Sequence, residues 1–239
     1  MNESEGAARM GEINGANVSP VILMAGGRPA DGGRTVEVIS RAIQKFNAPN
    51  AVYIGAANGD NLPFYMFMKP LLIKAGVKDV EFVKLAKAKI DVEAAKAALS
   101  GADVIFLSGG EVEDGIKWIE KHGLAGFFRD LYKKGKLFVG MSAGTIMLGS
   151  HWVKWRTPGK DETAELFDCL GIVPAIFDTH AEDEDWIELK TALRLTGEGA
   201  RGYGIPRGGI IEADGDGRLV NVEKKYLTFV YNGGAYDVI

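Results

Sequence analysis

Leu137-Phe138-Val139-Gly140-Met141-Ser142-Ala143-Gly144-Thr145-Ile146-Met147-Leu148 is the stretch on which the fold turns. Its first four residues form a short apolar run, the pattern of a strand buried on both faces. Ala143 to Leu148 has the composition of a helix start. Between the two lies Gly140-Met141-Ser142-Ala143-Gly144, a G-x-S-x-G sequence in strand-turn-helix context, which is the setting of a nucleophile elbow. Such a turn is too tight for side chains at the flanking positions, and Gly140, Ala143 and Gly144 are all small. The serine oxygen then projects from the carboxyl end of the strand. The N–H of Ala143 and the positive end of the helix face the same point, where an oxyanion can be held.

The same alternation extends outward in both directions. Val21–Ala25, Ala51–Ile54, Val80–Leu85 and Val104–Leu107 are further apolar runs of strand length. Thr35–Phe46, Phe64–Ala75, Val92–Leu99, Glu113–Lys121 and Leu124–Lys134 carry helical patterns between them, and Asp185–Leu195 is the last helix. Continuous apolar strands separated by helices predict an α/β fold, a three-layer sandwich with a mostly parallel sheet and helices on both faces. From Gly202 to Ile239 the chain reads as short strands and Gly/Asp turns, predicting a short-stranded C-terminal extension of that sheet. No linker or repeat divides the chain. Residues 1–18 are polar and Gly/Ala-rich and are expected to form a flexible leader, with one domain over residues 19–239.

Composition narrows the function. The 239 residues carry 28 basic against 32 acidic side chains, a net charge of −4, and no basic run, which argues against nucleic acid and acidic membrane surfaces. No apolar run approaches a membrane span, and the N-terminus lacks the pattern of a signal peptide, so a cytoplasmic location is expected. The single cysteine, Cys169, excludes an intramolecular disulfide and a multi-cysteine zinc site.

A serine nucleophile needs a base, and the chain has three histidines. His122 precedes Gly123 in a polar segment and reads as a helix C-terminal residue. His151 lies nine residues after Ser142, and a helix rising 1.5 Å per residue carries it away from the serine. His180 ends the strand-like run Ala175-Ile176-Phe177-Asp178-Thr179, and a strand end at the same sheet edge brings it to Ser142. Ser108-Gly109-Gly110 ends the strand before the elbow strand, and paired glycines there leave free N–H groups, a natural second oxyanion donor beside Ala143. Gly26-Gly27 lies along the same edge, where open parallel sheets bind ligands, which makes Gly27 and Gly109 expected substrate contacts. Trp152 and Trp155 follow the elbow helix as a half-exposed strand would, fit for core packing, a pocket wall or an oligomer contact. Asp60-Asn61-Leu62-Pro63-Phe64 is a loop and helix start at the active edge.

In this order, Val104–Gly110, Gly135–Gly144, Asp178-Thr179-His180 and Gly204-Ile205-Pro206-Arg207-Gly208 resemble the peptidase E and cyanophycinase family of serine peptidases, family S51. The resemblance spans nearly the whole chain from Val21. It implies the class I glutamine amidotransferase-like fold, a flavodoxin-like sandwich. It implies Ser142 as nucleophile, His180 as general base, Gly110 and Ala143 as oxyanion hole, and small Asp-X or β-aspartyl peptides as substrates, hydrolysed without a metal or an organic cofactor. Relatives occur as monomers and as homodimers. A glutamine amidotransferase is a poor alternative, because that chemistry uses a cysteine at the elbow.

Two departures from the family pattern bear on mechanism. Arg207 stands in the late segment where many relatives carry an acid, and no acid falls some fifteen residues after Ser142. Asp161, Glu162, Glu182 and Asp183 are the candidates for a third triad member. Arg207 is itself a candidate for holding a substrate carboxylate. The loss of the acid also admits a catalytically silent relative that binds a small ligand or a protein partner. The run Glu182-Asp183-Glu184-Asp185 after the histidine would repel an acidic substrate and attract a basic side chain or a free amino group.

Overall fold

The computed structural model describes residues 19–26, 32–157, 160–214 and 217–239. The predicted leader, residues 1–18, and the Gly27 substrate contact lie outside the described residues. Five apolar runs form a parallel core: β1 Val21–Met24, β2 Asn50–Ile54, β3 Asp79–Val83, β4 Val104–Leu107 and β5 Leu137–Met141. They stand in the order β1-β5-β4-β2-β3, every neighbouring pair parallel. Burial on both faces explains the unbroken hydrophobicity of β1 and β4, whereas the edge strand β3 alternates, with Asp79 and Glu81 exposed. In β4, Val104 and Phe106 face one core while Ile105 and Leu107 face the other, the period-2 alternation of a strand.

Helices cover both faces. On one side lie α1 Gly32–Ile43 and α2 Leu62–Lys74, burying Ile39 and Leu72. On the other lie α3 Val92–Gly101, α4 Val112–Lys121, α5 Ala125–Lys133 and α6 Ala143–Leu148. Helix starts are capped as their sequences suggest. Asn61 Oδ1 accepts the Phe64 N–H at the start of α2, and Asp91 Oδ1 accepts the Ala94 N–H at the start of α3.

The tail departs from the expected single extension. Two of its strands, β10 Ile210–Ala213 and β11 Leu219–Glu223, do join the main sheet, antiparallel, beside β1. The others, β9 Arg201–Ile205, β12 Leu227–Asn232 and β13 Ala235–Val238, join the earlier β8 Ile176–Thr179 in a separate four-stranded sheet, β13-β12-β9-β8. β5 is flanked by β1 and β4, so β8 finds no open edge beside the elbow strand. It pairs parallel with β9 instead, and α7 Ile187–Thr196 packs on that sheet. A third pairing, missed in the sequence, joins β6 His151–Trp155 to β7 Ala164–Asp168. No described helix is long and apolar enough to cross a membrane.

Candidate active site

The elbow is built by close backbone approach. A Cβ at Gly140 would sit 2.7 Å from the Gly144 carbonyl oxygen and from the Thr145 backbone. One at Gly144 would sit 2.1 Å from the Leu107 carbonyl oxygen. The two glycines of G-x-S-x-G therefore let α6 fold back on β5 and press against β4. Thr145 adds a lock. Its buried Oγ1 donates to the Met24 carbonyl at 2.8 Å and accepts the Met24 N–H at 3.0 Å, tying the helix to β1.

Ser142 occupies the turn with φ 53° and ψ −121°. That is a costly conformation for a residue with a Cβ, by about 1–3 kcal/mol. Its N–H donates to the Met24 carbonyl at 2.8 Å, and its carbonyl accepts the Thr145 N–H at 2.8 Å. The strain points the side chain out of the strand end toward His180. Ser142 Oγ lies 2.8 Å from His180 Nε2, within the reach that proton transfer needs.

His180 comes from the second sheet. It follows β8 with φ 48°, and its N–H donates to the Ile205 carbonyl at the end of β9, 2.9 Å away. The other histidines are engaged elsewhere. His122 Nε2 lies 2.9 Å from the Leu85 carbonyl oxygen, and His151, at the start of β6, pairs with Asp168 at 3.3 Å. That is the one histidine–carboxylate pair among the described residues, so His180 has no described carboxylate at ion-pair distance.

The glycine pair after β4 lies against the elbow. A Cβ at Gly109 would come 3.1 Å from Ser142 Cβ. Gly110 has φ +143°, and a Cβ there would fall 2.1 Å from the Ala57 carbonyl oxygen. Only glycine fits that position. Gly110 and Ala143 line the same cleft as Ser142 and His180, and the N–H groups of both lack a backbone acceptor among the described residues.

This cleft has a volume of about 430 Å³. Trp152 and Trp155 of β6 form part of its wall. Its carboxylates come from separate segments: Glu111 and Glu113 at the start of α4, Asp178 of β8, Glu184, and Glu188 of α7. Lys154, also in the lining, is paired with Glu165 at 3.3 Å and stands 4.0 Å from Glu113. Burial pushes Glu188 above the usual carboxylate range, with Glu184 and Glu111 adding repulsion. Asp178 is 3% exposed, and burial pushes its carboxyl up to about 7. Its Oδ1 accepts the Thr179 N–H at 2.7 Å, while Oδ2 has no hydrogen-bond partner.

The four acids expected as triad candidates lie off this lining. Asp161 and Glu162 are exposed in a single 3-10 turn. Glu182 accepts the Arg207 N–H at 2.6 Å, and Asp183 pairs with the Arg207 guanidinium at 3.4 Å. Arg207 is exposed and does not line the cleft; it fastens the turn between β9 and β10 to the acidic segment that follows His180. The lining acids outside that segment were missed in the sequence because burial and a shared cleft, not spacing, mark them out. Asn58 was missed as well. It follows β2 in a 3-10 turn and donates through Nδ2 to Ser108 Oγ at 2.8 Å and to the Gly109 carbonyl at 3.0 Å.

A strained serine at a strand-helix turn, a histidine against its hydroxyl and two free N–H groups beside it form the arrangement of serine acyl transfer. The sequence profile of Peptidase family S51 matches residues 21–220. The chain belongs to peptidase family S51. As an S51 member it is a serine-type peptidase. Solved structures share the fold. A peptidase from an acI-B1 Actinobacterium superposes with a TM-score of 0.68 at 19% identity, over 94% of this chain and 95% of that one. A putative peptidase E protein from Listeria monocytogenes EGD-e gives 0.66 at 17% identity, over 87% of this chain and 100% of that one. No curated protein sequence matches this S51 chain.

Proposed function

We propose that the protein is a cofactor-independent serine exopeptidase that cleaves short peptides through an acyl-enzyme on Ser142. The carrying observation is the 2.8 Å contact between Ser142 Oγ and His180 Nε2 at a strained elbow. Ser142 Oγ attacks the scissile carbonyl carbon while His180 Nε2 takes the hydroxyl proton. The carbonyl oxygen becomes an oxyanion held by the N–H groups of Gly110 and Ala143. Collapse breaks the C–N bond, and His180 returns its proton to the leaving amine. Water then attacks the ester with His180 again as base, releasing the acid and restoring the serine.

Glu111, Glu113, Glu184 and Glu188 support the exopeptidase part of this reading, since a negative cleft favours a free ammonium group. The resemblance adds Asp-X and β-aspartyl dipeptides as the substrate class. The test is amino-acid release from Asp-X and β-aspartyl dipeptides, each with and without an N-acetyl group. Hydrolysis of the free-amino peptides, lost in Ser142→Ala and His180→Ala, is the expected result. Equal cleavage of the acetylated peptides would remove the exopeptidase assignment. Hydrolysis retained in Ser142→Ala would remove the acyl-enzyme.

A further inference from the structure

The peptide between Gly109 and Gly110 is held from behind. Asn58 Nδ2 places one hydrogen on the Gly109 carbonyl oxygen at 3.0 Å and the other on Ser108 Oγ at 2.8 Å. Tyr53, buried in the core, brings its hydroxyl to the same Ser108 Oγ at 2.7 Å. The orientation of the Asn58 amide is fixed by its other end, because Oδ1 accepts the Asn61 N–H at 3.0 Å. Rotating the amide by half a turn would set an NH₂ against that N–H and an oxygen against the Gly109 carbonyl. The surrounding loop is itself tied down: the N–H groups of Asn58 and Asp60 both donate to the Gly55 carbonyl, and the Asp60 carboxylate accepts the N–H groups of Leu85 and Ala86.

A trans peptide is planar, with its C=O and N–H pointing in opposite directions. Among the described residues no peptide bond is cis. Asn58 draws the Gly109 carbonyl toward itself, so the Gly110 N–H is turned away from Asn58. Gly110 lines the cleft with Ser142, and its N–H has no acceptor among the described residues. With φ +143° and no Cβ, Gly110 has wide freedom to rotate this peptide unless something holds it.

We propose that Asn58 is a positioning residue for acyl transfer, aiming the Gly110 N–H at the developing oxyanion by gripping the Gly109 carbonyl. The proposal rests on the serine-peptidase reading above. Asn58 touches no reacting atom and exchanges no proton. It lowers the barrier by holding a donor in place before charge develops, which is where preorganised oxyanion donors have their effect.

The test uses the full chain, a serine-directed phosphonate and intact-mass detection of the adduct, resolved into kinact and KI. Phosphonylation builds negative charge on an oxygen at the same place as acyl transfer. Asn58→Asp keeps the shape and the Oδ1 acceptor but sets an acceptor against the Gly109 carbonyl. Asn58→Ala removes the donor without adding charge and serves where the aspartate variant does not fold. Both are expected to lower kinact by about tenfold or more, short of the 10²–10³ that follows outright loss of an oxyanion donor, with KI unchanged. Asn61→Ala removes only the side chain that caps α2 in the same loop; it is expected to lower Tm and leave kinact at the wild-type value. Folded Asn58 variants with wild-type kinact would overturn the proposal. So would a loss confined to KI, or a kinact that falls in step with Tm across all three variants. A wild-type chain that takes no label contradicts the serine-peptidase reading itself, which separates that failure from the failure of Asn58.

Discussion

The two halves of the candidate site solve one problem by different means. Ser142 and His180 each end a strand in the left-handed region, with φ 53° and 48°, and each fixes its N–H on a neighbouring strand. The Ser142 arm is packed against main chain, with glycines that admit no Cβ and a buried threonine as a lock. The His180 arm belongs to a smaller sheet, is half-buried and shares its cleft with acids. One arm is held by steric fit and the other by tertiary contacts and charge. Substitutions at the elbow should therefore act through packing at any pH, and those in the His180 arm should be pH-dependent.

The largest effect is expected at Gly144. Replacing it by alanine drives a Cβ into the Leu107 carbonyl, where backbone opposes backbone and neither side yields cheaply. A loss of about 3 kcal/mol, the upper end of overpacking, should appear in denaturant unfolding at both pH 5 and pH 8. A Gly144→Ala protein as stable as wild type would show that the elbow is looser than its contacts imply.

Asp178 tests the other arm. Burial raises its carboxyl from the ordinary 3.8 to about 7, so the folded chain binds this proton more tightly than the unfolded one. Its contribution is fully present below pH 3.8 and is lost as pH rises through about 7. Asp178→Asn stays uncharged throughout. Relative to wild type it should gain about 2.5 kcal/mol of stability between pH 5 and pH 8, each pKa unit being worth about 1.4 kcal/mol. A stability difference that does not move with pH would contradict the buried, titrating carboxyl.

A smaller effect isolates the strain at Ser142. Ser142→Gly and Ser142→Ala both remove the hydroxyl, but only glycine adopts φ 53° freely. The glycine variant should be the more stable of the two by about 1 kcal/mol, the low end for such strain. Equal stability would mean that the elbow conformation stores none.

The contrast also explains what the sequence disclosed. The parallel strands and the elbow were legible because each is written locally: Val104–Leu107 and Leu137–Gly140 are unbroken apolar runs, and Gly140 to Gly144 names its own turn. The pairing of β8 with β9 was not, because short strands carry no signal of which edge they will find. Glu111 and Glu188 are ordinary surface acids in the sequence and join Glu184 in one wall only when α4, α7 and the segment after His180 meet. Asn58 lies fifty-one positions from the carbonyl it holds. Arg207 was legible as a departure from the family pattern, but its partner Asp183 and its place off the cleft lining depended on how two loops meet.

The central claim is that Ser142 and His180 work as nucleophile and base. Its most direct test is covalent labelling by a serine-directed phosphonate, read by intact mass on wild type, Ser142→Ala and His180→Ala. One adduct on the wild-type chain, mapped to Ser142 and abolished in both variants, is the predicted result. A folded wild-type chain that takes no label, or a His180→Ala chain that labels as fast as wild type, would contradict it.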